Sequence, residues 1–426
     1  MKIRRKTITY LLSLLVFGFS IGWILPASAE AEYDAQKVFE EADKKARAGE
    51  NAEAARLYQG ILANKPRLNR ARLELAVAYF RLKELKKARE EAEKVLNDPG
   101  TPEKVKINIR NFLANIRAAG PQNQWTPYVS IGYMYDDNVN VGPGSSSFLV
   151  GGNVMTVPGI APKSDHAITA YAGVDHQYMF SKTRKIGKRV VNVIWQSLAS
   201  YYRVDYDDQG AYDLDVVTFG TGPAFTAIDG FRGQLMLQVD FIDLGHDRFA
   251  TYIGLNPSIT WPFNNKKTEL TAELLFQDRD YHRRVDRGRD SDLITAGVSA
   301  NHIFANEKWS VQGGLSLLDE NSQASQYSND GFEIYVGANR RFAKKANVYA
   351  RYTYLDLDYD GRVPGFNRAR NEDTDTILVG FNYKLSLGFL DKWQVTGNYQ
   401  YTDTDSNIKF YSYDREQVEI ALERTF

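Results

Sequence analysis

The side chains that could do chemistry in this 426-residue chain are few and scattered. Its five histidines, His166, His176, His246, His282 and His302, hold no pair at the spacing that would place two imidazoles on one metal. There is no cysteine, which removes disulfides, thiolate catalysis, cysteine metal sites and a lipid-anchoring cysteine together. No Gly-x-Ser-x-Gly elbow and no phosphate-cradling loop occurs; Gly142-Pro143-Gly144 runs into serines and reads as a turn. Asp356-Leu357-Asp358-Tyr359-Asp360-Gly361 matches the front half of a calcium loop, but Asn367 stands where the bidentate Glu belongs. Asp205, Asp207, Asp208 and Gly210 make a poorer copy, and both stretches read as solvated acidic tips. These residues assign no enzyme activity and no cofactor.

The elements that carry these residues fall into three stretches. Lys2, Arg4, Arg5 and Lys6 precede an apolar run from Ile8 to Leu25, and Ala27-Ser28-Ala29 closes it, so residues 1–29 read as a cleaved signal peptide. The chain carries 53 basic and 53 acidic side chains. Four of the basic ones lie in the leader, so the remainder is mildly acidic and lacks the basic footprint of a nucleic-acid binder.

Residues 30–120 are rich in Ala, Leu, Glu and Lys with apolar residues at helical spacing. A period of about 34 residues pairs Ala42 with Ala76, Ala54 with Ala88, Leu62 with Leu96, and Gly49 with Lys83 in the turn between helices. That is the tetratricopeptide period. Thr101-Pro102 is expected to cap a further helix ending at Ala119-Gly120. Tyr58, Tyr79 and Phe80 are the aromatic candidates for binding a client protein on this helical stack.

From 121 to 426 the period falls to two. Ile377, Val379, Phe381 and Tyr383 alternate with Thr376, Gly380, Asn382 and Lys384, and Leu270, Leu274 and Phe276 alternate with Glu269 and Glu273. Segments of about ten residues with one apolar and one polar face are the pattern of a transmembrane barrel. Fourteen such segments, from 126–135 to 416–426, are expected, with short links after even strands and long polar links after odd ones, the longest over 136–166. The expected fold is therefore α + β multidomain: tetratricopeptide-type α-helical repeats followed by a 14-stranded antiparallel transmembrane β-barrel. Glu269, Glu273 and Arg351 would face its lumen. The last strand places Val418, Ile420, Leu422 and Phe426 on one face. Its aromatic end resembles the signal read by the outer-membrane barrel assembly machinery, with Leu422 and Phe426 as its residues, although Arg424 departs from that signal.

The junction carries one further motif. Trp125-Thr126-Pro127-Tyr128 enters the first strand, which closes on Tyr135-Asp136-Asp137-Asn138-Val139-Asn140. Asp and Asn side chains bond neighbouring amides and so end a strand. This ending, directly after tetratricopeptide-type helices, resembles the surface lipoprotein assembly modifier (Slam) family, whose helical region is longer in its better-known members. The resemblance implies an outer-membrane translocator with its N-terminal region in the periplasm, exporting a surface lipoprotein or a small soluble secreted protein. It also makes Asp136, Asp137, Asn138 and Asn140 the family motif. The implied partners are that client, the barrel assembly machinery and lipopolysaccharide or other outer-membrane lipid, with no nucleic acid. The alternative is a polysaccharide-export or passive diffusion porin with a periplasmic tetratricopeptide domain.

Overall fold

A computed structural model describes residues 34–426 apart from 151–152, 188, 229, 305–306, 344 and 387. The leader therefore lies outside the described residues, as do the middles of the links at 228–230, 305–307 and 343–344.

Among the described residues five helices come first: α1 (Ala35–Arg47), α2 (Asn51–Asn64), α3 (Asn69–Arg81), α4 (Leu85–Leu96) and α5 (Glu103–Ala118). The Asp34 carboxylate caps α1 by accepting from the amides of Gln36 and Lys37. α1–α2 and α3–α4 are antiparallel pairs joined by tight turns, and each turn holds a left-handed residue, Gly49 at φ +83° and Lys83 at φ +61°. Ala42, Ala54, Ala76 and Ala88 have no exposed surface, because a methyl side chain lets two helix backbones approach closely. Tyr58, Ile61, Leu75 and Val95 fill the seams between them. Thr101 does not cap α5 as expected. Pro102 holds the capping position, and the Thr101 hydroxyl instead donates to the Val95 carbonyl at the end of α4, 2.8 Å away.

Fourteen antiparallel strands follow: Asn123–Asp136, Asp165–Met179, Arg189–Tyr206, Leu214–Ala227, Arg232–Leu244, Asp247–Phe263, Thr268–Tyr281, Ser291–Ile303, Trp309–Ser322, Asn329–Arg341, Ala346–Val363, Arg368–Lys384, Trp393–Ser406 and Tyr413–Thr425. Each pairs with the next, and the first pairs with the last from Tyr128↔Thr425 to Asp136↔Gln417. The sheet is thus closed into a barrel, which leaves no edge of unpaired amides.

The outward face of this barrel is apolar. Ile131 on the first strand is 58% exposed and Ile420 on the last 55%, with Phe276, Val298, Leu317 and Val379 continuing the belt. Such a surface is stable only against lipid. No helix among the described residues is long and apolar enough to cross a membrane, so the strands do the crossing.

Four links at the helical end of the barrel are short, as expected, but those after the second and twelfth strands, 180–188 and 385–392, run to nine and eight residues. At the far end the outcome is mixed. Residues 137–164 form a long loop containing a hairpin, Ser147–Val150 with Asn153–Thr156. The fifth and sixth strands, however, meet through Gly245 and His246 alone, at φ +59° and +66°. Two left-handed residues make the primed turn that a tight hairpin needs. The link expected over 245–248 is thus shortened to two residues, because Asp247 and Arg248 pair with Leu244 and Asp243.

Candidate functional site

The strand-exit motif is built around one carboxylate. Side chains on the first strand alternate, so Tyr135 points to lipid while Met134 and Asp136 point inward. Asp136 has no exposed surface. Its oxygens accept from Nε of Arg415 on the last strand at 3.0 and 3.1 Å and from the Tyr206 hydroxyl on the third at 2.9 Å. Nε2 of Gln417 at 3.1 Å and the Asn138 amide at 3.0 Å complete the set. Tyr206 reaches across the second strand because Ala167, which pairs with it in register, is small and wholly buried. A buried carboxylate is stable only when paired and hydrogen-bonded in this way.

The rest of the motif folds the first loop. Asp137 accepts from the Glu416 amide at 2.6 Å. The buried Asn138 amide group accepts from Gly142 N at 2.7 Å and donates to the carbonyls of Gly142 (2.9 Å) and Asp414 (2.8 Å). Asn140 accepts from Lys163 N at 2.8 Å and donates to the carbonyls of Ile160 and Ala161 at 3.2 and 3.1 Å. Both arms of the loop are thereby pulled onto the start of the last strand. Neither Arg415 nor Tyr206 was singled out from sequence; an inward-facing Arg on the strand that closes the barrel was the available signal.

The far mouth is tied in the same manner. Phe148 of the loop hairpin is buried against Phe410, ring centres 5.2 Å apart, and Phe410 meets Phe366 at 5.8 Å. Inside, the Arg370 guanidinium lies between the rings of Tyr359 (3.7 Å) and Tyr411 (4.3 Å), with Glu372 at 3.4 Å. Arg289 stands over Tyr327 at 5.3 Å. Links between strands 7 and 14 are thus joined to one another by cation–aromatic and ring contacts.

Further down the lumen, charges pair with neighbours. Glu269 meets Arg232 with both oxygens, at 2.6 and 2.8 Å. Arg351 stacks on Tyr335 (3.9 Å) and stands 3.7 Å from Glu333. Glu419 accepts from the Thr169 hydroxyl at 2.5 Å and from Asn398 at 3.1 Å, and Glu423 from Gln394 at 2.6 Å. Glu273 faces the same side, against Gly297.

The stretch Asp356–Gly361 is strand, continuous within Ala346–Val363 except for a bulge between Asp358 and Arg362. It cannot wrap an ion as a calcium loop does. Among the described residues no group of three His, Asp or Glu could hold a metal. The histidines stay apart: His176 stacks on Trp125 at 4.0 Å and His302 meets Thr268 at 2.9 Å.

Two of the aromatic candidates on the helices are interior. Tyr58 is wholly buried, its hydroxyl donating to Asp43 at 2.7 Å and its ring edge-on to Phe39. Tyr79 is buried and accepts from Gln59 at 2.7 Å, while Phe80 is half-buried against Phe112. They hold helices together, so a client cannot meet Tyr58 or Tyr79 without unfolding the stack. At the terminus, Leu422 faces lipid beside Ile131, and Phe426 is exposed beneath the Arg424 guanidinium, 4.5 Å from its ring centre.

The helices rest on the barrel through α5. Asn192 of the third strand donates to the Ala114 carbonyl at 2.8 Å, Val190 N to Asn111 at 3.2 Å and the Thr183 hydroxyl to Asn115 at 3.2 Å. Ile228, in the link after the fourth strand, packs against the helical core. A crevice of about 680 Å³ lies between α4, α5 and the ends of the first two strands, lined by Leu85, Arg89, Leu113, Ile116, Gln124 and Met179.

Comparison with known proteins places residues 125–426 in the family model described as surface lipoprotein assembly modifier. A surface lipoprotein assembly modifier of Pasteurella multocida (strain Pm70) is 25% identical over 402 residues, covering 89% of this chain and 74% of that protein. Among solved structures, the outer membrane channel DcaP of Acinetobacter baumannii aligns at 11% identity and TM-score 0.40, over 71% of this chain and 97% of its own. An anion-selective porin from Comamonas acidovorans aligns at 10% and 0.39, over 71% and 99%. At such scores the barrel rests on its own strand pairing.

Proposed function

We propose a function from one premise: the chain belongs to the surface lipoprotein assembly modifier family. It is an outer-membrane barrel of translocator type, and the further reading is that it exports a lipoprotein or small soluble protein from periplasm to cell surface. The observation that carries this is the docking of α5 on the end of the barrel opposite the long 137–164 loop. Short turns lie on the periplasmic side of such barrels. A stack of paired helices in the tetratricopeptide manner, held at the inlet of a lumen, is suited to capture an extended segment and pass it on. A standing diffusion pore fits less well, since the far mouth is tied by Arg370, Tyr359 and Tyr411 and by the Phe148 hairpin.

The test removes residues 33–119 and follows the client by protease accessibility on intact cells. The expected outcome is an inserted, heat-modifiable barrel with the client held in the periplasm. Unchanged display without the helices would overturn the capture role, and loss of glycan export with no effect on any secreted protein would favour a polysaccharide channel.

A further inference from the structure

The two ends of the barrel carry opposite charge. Links and strand ends at the helical end are rich in cations, among them Lys267, Arg340, Arg341, Lys345 and Lys384, whereas the far end is studded with aspartates such as Asp207, Asp208, Asp286, Asp403 and Asp405. α5 meets the barrel at the third strand, and a pocket it shares with the barrel reaches the link after the sixth. On the opposite side, strands 10 to 13 leave an open pocket of about 490 Å³ lined by Asn339, Arg341, Lys345, Asn382, Lys384 and Gln394.

The register fixes which way these residues point. Phe342 and Tyr383 are exposed on the lipid side, so their strand neighbours Arg341, Asn382 and Lys384 face the lumen. Lys345 adjoins Lys384 across the ladder, where the Lys384 amide donates to the Lys345 carbonyl, and its ammonium donates to the Ser386 hydroxyl at 2.6 Å. Arg340 points the other way and stacks on Trp309 and Phe342 at 4.8 and 4.5 Å. The pocket therefore holds three cations and four neutral amides, Asn347 among them, and no carboxylate lines it, although Glu423 stands behind Gln394 and accepts from its Nε2 at 2.6 Å.

We propose that Arg341, Lys345 and Lys384 form an inlet for an acidic peptide segment of the exported protein. This rests on the export reading above and names the chemistry that the inlet selects. Side chains of one sign at the edge of a low-dielectric wall focus the field and raise the local concentration of an opposite charge. The amides of Asn339 and Asn382 supply donors to carboxylates once they arrive, while the Gln394 amide is already held by Glu423.

The experiment titrates the full-length protein in detergent with a fluorescent oligoglutamate peptide, reading anisotropy, and so is independent of any display assay. The wild type binds, and binding weakens as salt shortens the screening length. The R341Q/K345Q/K384Q variant loses affinity by about tenfold, in line with three partly exposed ion pairs, while R340Q, which changes the lipid-facing cation, does not. Heat-modifiability of each variant establishes that the barrel is intact. Equal affinity of the triple variant and wild type overturns the proposal, as does failure of the wild type to bind. So does a triple-variant defect seen only with phosphatidylglycerol nanodiscs and absent with the peptide, which would give the residues to lipid.

Discussion

The helical region and the barrel solve opposite problems with the same side chains. In α1–α4 the apolar residues turn inward, and the seam is so tight that six alanines have no exposed surface. In the barrel the apolar residues turn outward, and the interior is a polar network in which Asp136, Arg415 and Tyr206 bond from three different strands. The first is held by packing and fails by losing volume. The second is held by a closed ladder of backbone bonds, and its lumen network positions loops rather than holding the wall. Substitutions in the two regions should therefore fail in different ways.

The largest effect is expected for Tyr58→Ala. Removing a wholly buried ring with its hydroxyl bond to Asp43 leaves a cavity worth about 3–5 kcal/mol in the helical region. Hydrogen exchange should rise to near-unfolded rates across α1–α3, while the barrel keeps its heat-modifiable shift on gels. Loss of that shift would show that the wall depends on the helices.

Asp136→Ala tests the other interior. It leaves the Arg415 guanidinium half-paired and the Asn138 turn without its acceptor, a local loss of about 2–4 kcal/mol. The expected outcome is proteolytic nicking within 137–164 with the barrel still closed, since first-to-last pairing runs down to Tyr128↔Thr425. Asp136→Asn, which can keep the Tyr206 bond, should nick more slowly. A loop as resistant as wild type in Asp136→Ala would mean that the hairpin contacts of Phe148 alone hold it.

The barrel was legible because lipid enforces a rule that sequence records directly. Every second residue along a strand is apolar, and a slip by one would put Glu419 or Glu423 into hydrocarbon. The helical pairs were legible for a related reason: Gly49 and Lys83 occupy equivalent left-handed turns one period apart. What could not be read was which face of a helix is covered. Tyr58 and Tyr79 share the composition of a binding surface, and only the third dimension places them inside. Pairings across the closed barrel were equally hidden, because Asp136 and Arg415 meet through closure and no local pattern links positions 279 apart in the chain. The link between the fifth and sixth strands was placed at 245–248, but its tightening to Gly245-His246 was not legible, because strand length is set by pairing with neighbours, not by hydrophobicity.

The smallest effect separates the regions by pH. Glu91 on α4 accepts from Arg72 of α3 at 2.7 Å and from Lys94 at 2.6 Å, with 14% of its side chain exposed. Burial pushes its carboxyl upward, but the bonds from Lys94 and Arg72 outweigh it, and the net shift is below the usual glutamate range. A depressed folded value means the ionised group stabilises the fold. That contribution is fully present above the unfolded glutamate value of about 4.3 and is lost as pH falls through the folded one. For a pair joining two helices near the surface it amounts to about 1 kcal/mol or less. Hydrogen exchange of α3 and α4 in the full-length protein, corrected for intrinsic rates, should show Glu91→Gln less protected than wild type at pH 7. The two should converge as pH falls through the depressed titration of the folded carboxyl, with no matching change in the barrel strands. A difference that persists at acid pH would mean that Glu91 acts through packing, and that charge plays no part in holding α3 to α4.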